Sequence, residues 1–166
     1  MSSNHKLLDS LDKLEHQLDQ LLASPESFDK LWDKLDNNGN GIVSLAEIDA
    51  FAIYTYPLLN KKPALMRAYK KTVERDADEF VHKNEFLNLI TNLFYFNRIY
   101  YVFNEIDTDG DHRIDLNEFK QSFSLLKLGK CKAETVFKEI DANNGGYILF
   151  DEFCQWFSSH SLSNLC

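Results

Sequence analysis

The 166 residues suffice for one compact domain or two small lobes with real cores, and a 13% aromatic content points to an aromatic core. A net charge of −8 excludes a general nucleic-acid binder and simple electrostatic docking on anionic lipid, and favours bound cations or a basic partner helix. Cys131, Cys154 and Cys166 show no C-x-x-C spacing and read as thiols of a reducing compartment. No run is long and apolar enough for a signal peptide or a membrane span, so a cytoplasmic chain is expected. Met1-Ser2 lacks the glycine that myristoylation needs and the last four residues form no prenylation box, so no direct lipid anchor is expected.

Apolar residues recur at helical spacing between scarce prolines and glycines, which predicts an all-α chain. Residues 4–23 make the first expected helix. Its Leu7, Leu11, Leu14, Leu18 and Leu21 alternate steps of four and three and form one leucine stripe. Ser24-Pro25 ends it and opens the next helix, with Ser24 as N-cap and Pro25 at the first helical position.

From there one unit repeats four times: an apolar helix, an acidic stretch, a β-branched residue, a glutamate, a bulky apolar residue and a second helix. The entering stripes are Phe28, Leu31, Trp32, Leu35; Met66, Tyr69, Val73; Ile99, Val102, Phe103, Ile106; and Val136, Phe137, Ile140. The glutamates are Glu47, Glu85, Glu118 and Glu152, followed by Ile48, Phe86, Phe119 and Phe153. The expected architecture is four helix-loop-helix units in two paired lobes behind an N-terminal amphipathic helix. Its segments are residues 1–24, 25–96 and 97–160, with a tail at 161–166. Crowded aromatics from Phe94 to Phe103 predict lobes pressed together, with a bend near Asn97.

The loops carry the chemistry. A hard divalent cation such as Ca²⁺ takes six to eight oxygens, which a loop of twelve residues supplies from positions 1, 3, 5, 7, 9 and 12. Position 7 gives its backbone carbonyl, position 12 is a bidentate Glu, and position 6 favours Gly for a left-handed turn. Loop 1, Asp36 to Glu47, meets every demand with Asp36, Asn38, Asn40, the Ile42 carbonyl, Ser44 through water, and Glu47. Loop 3, Asp107 to Glu118, offers Asp107, Asp109, Asp111, Arg113 at position 7, Asp115 and Glu118, but places His112 at position 6. Loop 4, Asp141 to Glu152, keeps Asp141, Asn143, Tyr147 at position 7 and Glu152. Gly145 at position 5 and Leu149 at position 9 remove two side-chain oxygens, so weaker binding is expected. Loop 2, Glu74 to Glu85, has an overlong Glu74 at position 1, Glu79 at position 6 and His82 at position 9, and a purely structural role is expected. The five histidines show no zinc spacing, and no nucleophile sits in a recognisable motif, so no enzyme is expected.

These loops identify the chain as a member of the EF-hand superfamily over about residues 25–157. The second half resembles the flagellar calcium-binding proteins of protists, the calflagin group. That resemblance is carried by Glu79-Phe80-Val81, Glu85-Phe86, the segment Leu93–Tyr101, residues 102–107 (VFNEID), Glu118-Phe119-Lys120, residues 136–141 (VFKEID) and Asp151-Glu152-Phe153. It implies calcium binding mainly by the C-terminal loops and a ciliary or flagellar location, whereas Ser2 departs from the family's lipidated N-terminus. The leading expectation is a calcium sensor that regulates a protein partner, either an amphipathic helix or an axonemal or cytoskeletal component. A structural subunit of such an assembly, or a calcium buffer, is the alternative.

Overall fold

The structure, a computed structural model, describes residues 3–128 and 130–160. The expected tail at 161–166 and the Met1-Ser2 start lie outside the described residues. Eight α-helices and two short antiparallel strand pairs make an all-α fold among the described residues. The chain divides into two compact units, Met1–Tyr100 and Tyr101–Cys166.

The first unit begins with α1 (Ser3–Leu22) and α2 (Pro25–Leu35). Ser24 stands at the N-cap with extended backbone, as its sequence predicts, but its side chain makes no capping bond. β1 (Ile42–Val43) leads into α3 (Leu45–Tyr54), and α4 (Lys62–Val73) follows a 3₁₀ turn at Pro57–Leu59. β2 (Val81–His82) pairs with β1, Ile42 opposite His82 and Val43 opposite Val81. α5 (Phe86–Ile106) runs as one helix through Asn97 and enters the second unit.

Burial explains these elements better than propensity does. Leu11 and Leu18 of the leucine stripe are almost wholly buried while Leu21 is exposed, so the stripe packs within its own unit. Each such side chain contributes roughly 1.5–3 kcal/mol by leaving water. Arg98 of α5 fastens α1 from outside, donating from Nη2 to Asp12 Oδ1 and Glu15 Oε2, both at 2.6 Å. Phe86 receives the ring edges of Phe28 and Trp32 at centroid distances of 5.2 and 5.6 Å. Asn97 has no solvent exposure; its amide donates to Leu59 O and Leu93 O and accepts from Lys61 N, which satisfies a polar group in the core.

One expected stripe holds only in part: Val73 is buried and Tyr69 half-buried, but Met66 is not in the core. α4 buries Ala64, Leu65, Ala68, Thr72 and Val73, while Met66 is exposed. Helix periodicity was kept but the face is shifted by a residue, because small alanines let the backbone sit close where bulkier residues would hold it off.

In the second unit β3 (Arg113–Ile114) precedes α6 (Leu116–Ser122), a 3₁₀ turn (Phe123–Leu126) and α7 (Ala133–Ile140). β4 (Ile148–Leu149) opens α8 (Phe150–Ser159) and pairs with β3, Arg113 opposite Leu149 and Ile114 opposite Ile148. Phe103, Phe119 and Phe153 are almost fully buried and meet neighbouring rings edge-on or tilted. Cys154 is buried and Cys131 is disulfide-bonded, so the reading of three thiols does not hold.

Candidate functional site

Each loop begins where a helix ends, and the first acidic residue decides what the loop becomes. Asp36, Asp107 and Asp141 end α2, α5 and α7, their N–H groups bonded to Trp32 O, Phe103 O and Phe137 O at 2.8–2.9 Å. All three are buried, at 6–7% exposure. Their carboxylates accept from the loop's own amides: Asn40 and Gly41 onto Asp36, Gly110 and His112 onto Asp107, Gly145 and Gly146 onto Asp141, between 2.8 and 3.1 Å. A buried carboxylate needs such donors, and they wrap the backbone around it.

Position 6 takes the left-handed turn in all three, with φ of 85° at Gly41, 65° at His112 and 84° at Gly146. Only Gly enters this region freely; for His112 the cost is about 1 kcal/mol.

The far side of each loop is held by the glutamate at position 12. Glu47 Oε2 accepts from Ser44 N and Ser44 Oγ at 3.0 and 2.9 Å, and its Oε1 accepts from Asn38 Nδ2 at 2.9 Å. Glu118 Oε2 accepts from Asp115 N at 3.0 Å, and its Oε1 from Thr108 N and Thr108 Oγ1 at 2.8 and 2.9 Å. Among the described residues Glu152 accepts only from backbone amides, those of Asn143 and Leu149, at 3.3 and 3.0 Å. The glutamates therefore grade from loops 1 and 3 to loop 4, as the oxygen count of the sequence does.

Loop 3 gathers three carboxylates. Oxygens of Asp107, Asp109 and Glu118 all lie within 4.8 Å of one another. Burial pushes the Asp107 carboxyl up, helped by the nearby charges of Glu118 and Asp111 and opposed by the amides of Gly110 and His112. Burial also works to raise Glu118, but the bonds from Asp115, Thr108 and Asp109 outweigh it and hold its carboxyl below the usual range. Three carboxylate oxygens this close repel one another unless a cation sits among them, which suits a hard divalent ion.

Asp111 is also bound by a side chain of its own loop. Its Oδ2 accepts from Arg113 Nε and Nη2 at 3.1 and 2.8 Å, and the guanidinium stacks 4.5 Å from the Tyr147 ring centroid of loop 4. The sequence reading used only the backbone of Arg113 and missed this side-chain role, as it missed Thr108. An arginine two residues after a loop aspartate was the available signal for the first.

Loop 2 is built differently. Glu74 points outward to Lys71 at 2.7 Å, which lowers its pKa, and takes no bond from the loop's amides among the described residues. His82 Nε2 meets Asp78 Oδ2 at 2.6 Å; this bond raises the His82 pKa and lowers that of Asp78. Glu85 is pushed up by burial, with a side-chain hydrogen bond to Asp76 adding to the rise. Two acids of this loop thus have cationic partners, Glu74 in Lys71 and Asp78 in His82.

Residues 96–158 match the family of EF-hand domain pairs. A flagellar calcium-binding protein of Trypanosoma brucei brucei is 29% identical over 76% of this chain and 60% of its own length. One from Trypanosoma cruzi is 26% identical over 80% of this chain and 70% of its own. A calcium-binding protein of Arabidopsis thaliana is 28% identical over 86% of this chain and 84% of its own. The chain thus spans between 35% and 70% of the length of the flagellar relatives it matches.

Proposed function

Since the chain carries EF-hands, takes Ca²⁺ and is related to flagellar calcium-binding proteins, we propose that it is a calcium sensor whose loops 1 and 3 bind most tightly and whose response regulates a protein partner, in a cilium or flagellum. Loop 1 holds the ion with Asp36, Asn38, Asn40, the Ile42 carbonyl, Ser44 and Glu47. Loop 3 does so with Asp107, Asp109, Asp111, the Arg113 carbonyl, Asp115 and Glu118. Loop 4 contributes a weaker site from Asp141, Asn143, the Tyr147 carbonyl and Glu152, with Gly145 adding no side-chain oxygen. Loop 2 is a brace.

The observation that carries this reading is the set of three buried first aspartates, each cradled by two amides of its own loop. When bound, calcium supplies a double positive charge for carboxylates and carbonyls to surround. Glu118 must then exchange its bonds from Thr108 for ligation, and Glu47 its bond from Asn38. The next residues, Phe119 and Ile48, are wholly buried, so movement of either glutamate acts directly on core packing. The flagellar location is supported by the relatives' names alone.

Calorimetric titration of the chain should find at least two sites, one lost with Glu47→Gln and the other with Glu118→Gln, each weakened about 100-fold. An apolar dye should report new exposed surface on calcium addition. Sites that survive both substitutions would remove the ligand assignment; titration without a dye response would favour a buffer or a fixed subunit.

A further inference from the structure

We propose that the outer face of α4, with the groove between α3 and α4, binds an acidic, apolar segment of a protein partner. The overall charge of −8 suggests the reverse, a basic partner, but the charge is not evenly spread. Between residues 61 and 75 stand Lys61, Lys62, Arg67, Lys70, Lys71 and Arg75 against a single acid, Glu74. This stretch is therefore +5, and the remainder, with 12 cations and 25 acids, is −13.

Helical geometry collects these cations. Lys62, Met66 and Lys70 follow at steps of four along one stripe, and Arg67 and Lys71 along the next, continued by Arg75 just past the helix end. Lys62, Lys70, Lys71 and Arg75 are exposed. Asp49 answers Lys62 and Glu74 answers Lys71, while Lys70 and Arg75 have no ion-pair partner among the described residues.

Beside this face lies a cavity of about 450 Å³ lined by Leu45, Ala46 and Asp49 of α3 and Lys62, Leu65 and Met66 of α4. Apolar side chains make its floor, and the half-exposed Met66 can adapt to what enters it. Lys62 at the rim is paired with Asp49, but Lys70 and Lys71 stand about one turn further along α4 than Met66, so the dent and the helix beside it are complementary to a segment that pairs a bulky apolar anchor with acidic neighbours a turn away. A peptide about 10 Å across that lies on α4 senses that helix's charges most strongly, since more distant acids are screened over about 8 Å at physiological salt and Asp49 at the dent is taken up by Lys62. A bilayer is a plane: it cannot fill a concave dent, and it would bring acidic surface of the same unit against anionic headgroups. The shape and charge together select the peptide.

The inference rests on the proposal that a protein partner exists, and it is independent of which loops hold calcium. The full chain would be titrated by fluorescence anisotropy with a labelled helical peptide of about 18 residues built from Glu and Leu, and with its Lys-for-Glu counterpart. The acidic peptide should bind about tenfold more tightly and weaken as salt rises. Lys70→Glu with Arg75→Glu should reverse the preference, and Met66→Asp should weaken both peptides. Calcium titration of the charge-reversed variant should match the parent, which separates a failure here from a failure of the loops. A preference for the basic peptide, or one untouched by the charge reversal, overturns the proposal. So does capture by phosphatidylserine vesicles without peptide binding, which would mark a lipid face. Self-association abolished by the reversal, again without peptide binding, would mark a second copy and overturn it too.

Discussion

Loops 2 and 3 start from similar material and end in different chemistry. Both have acids at positions 3 and 5, a glutamate at position 12, and a residue other than glycine turned left-handed at position 6, Glu79 at φ 58° and His112 at φ 65°. Strain at that turn therefore does not separate them. The first position does. Asp107 is short enough to stay under the end of α5 and receive two loop amides, whereas Glu74, one methylene longer, reaches out to Lys71. Without a central acceptor, Asp78 of loop 2 pairs with His82, while Glu85, its pKa raised by burial, is crowded by Asp76, which raises it further.

The largest test of this contrast is to give loop 3 the flaw of loop 2. Asp107→Glu should weaken the loop 3 site about tenfold in calorimetry, and an unchanged site would place the difference elsewhere. The reverse exchange, Glu74→Asp with His82→Ser, should add a weak calcium site to the first unit. Relief of strain comes next. His112→Gly should tighten loop 3 about fivefold, while Glu79→Gly should raise the melting temperature without creating a site. A smaller gain, about threefold, is expected from Arg113→Gln, which frees Asp111 from its guanidinium; the pair is exposed and screened, so more is not expected.

The smallest effect is one of pH. His82 is raised above its ordinary 6.5 by Asp78, and Asp78 is lowered by His82. The histidine's contribution is complete below its unfolded value and fades as pH rises through the raised one. The aspartate's is complete above its unfolded value and fades as pH falls through the lowered one. The pair thus supports the fold most between the ordinary values of 3.8 and 6.5, and His82→Ala should lower the melting temperature slightly in that window and flatten the profile on either side of it.

The loops were legible because ligation fixes residue types at fixed steps. The residue after each position-12 glutamate was equally legible: Ile48, Phe86, Phe119 and Phe153 are all fully buried, since a glutamate held in the first turn aims its neighbour at the core. The face of α4 was not legible. A search for bulky apolar residues passes over Ala64 and Ala68, and it assigned to the core a methionine that lines a groove. The basic run on that helix was plain in the sequence but was averaged away by the net charge. The Arg113 contacts depend on which loop stands opposite, and only the strand pairing shows that.

The strand pairs also give the two units different dose–response shapes. In the first, Ile42 is tied to His82, so a loop with a full ligand set leans on one proposed only to brace it, and its occupancy should rise hyperbolically. In the second, Ile114 is tied to Ile148 and two ligand-bearing loops share one spine. Whatever filling one does for the other must be returned in equal measure, so that half should answer with a steeper Hill slope, and a single polypeptide would report both a gradual change and a threshold.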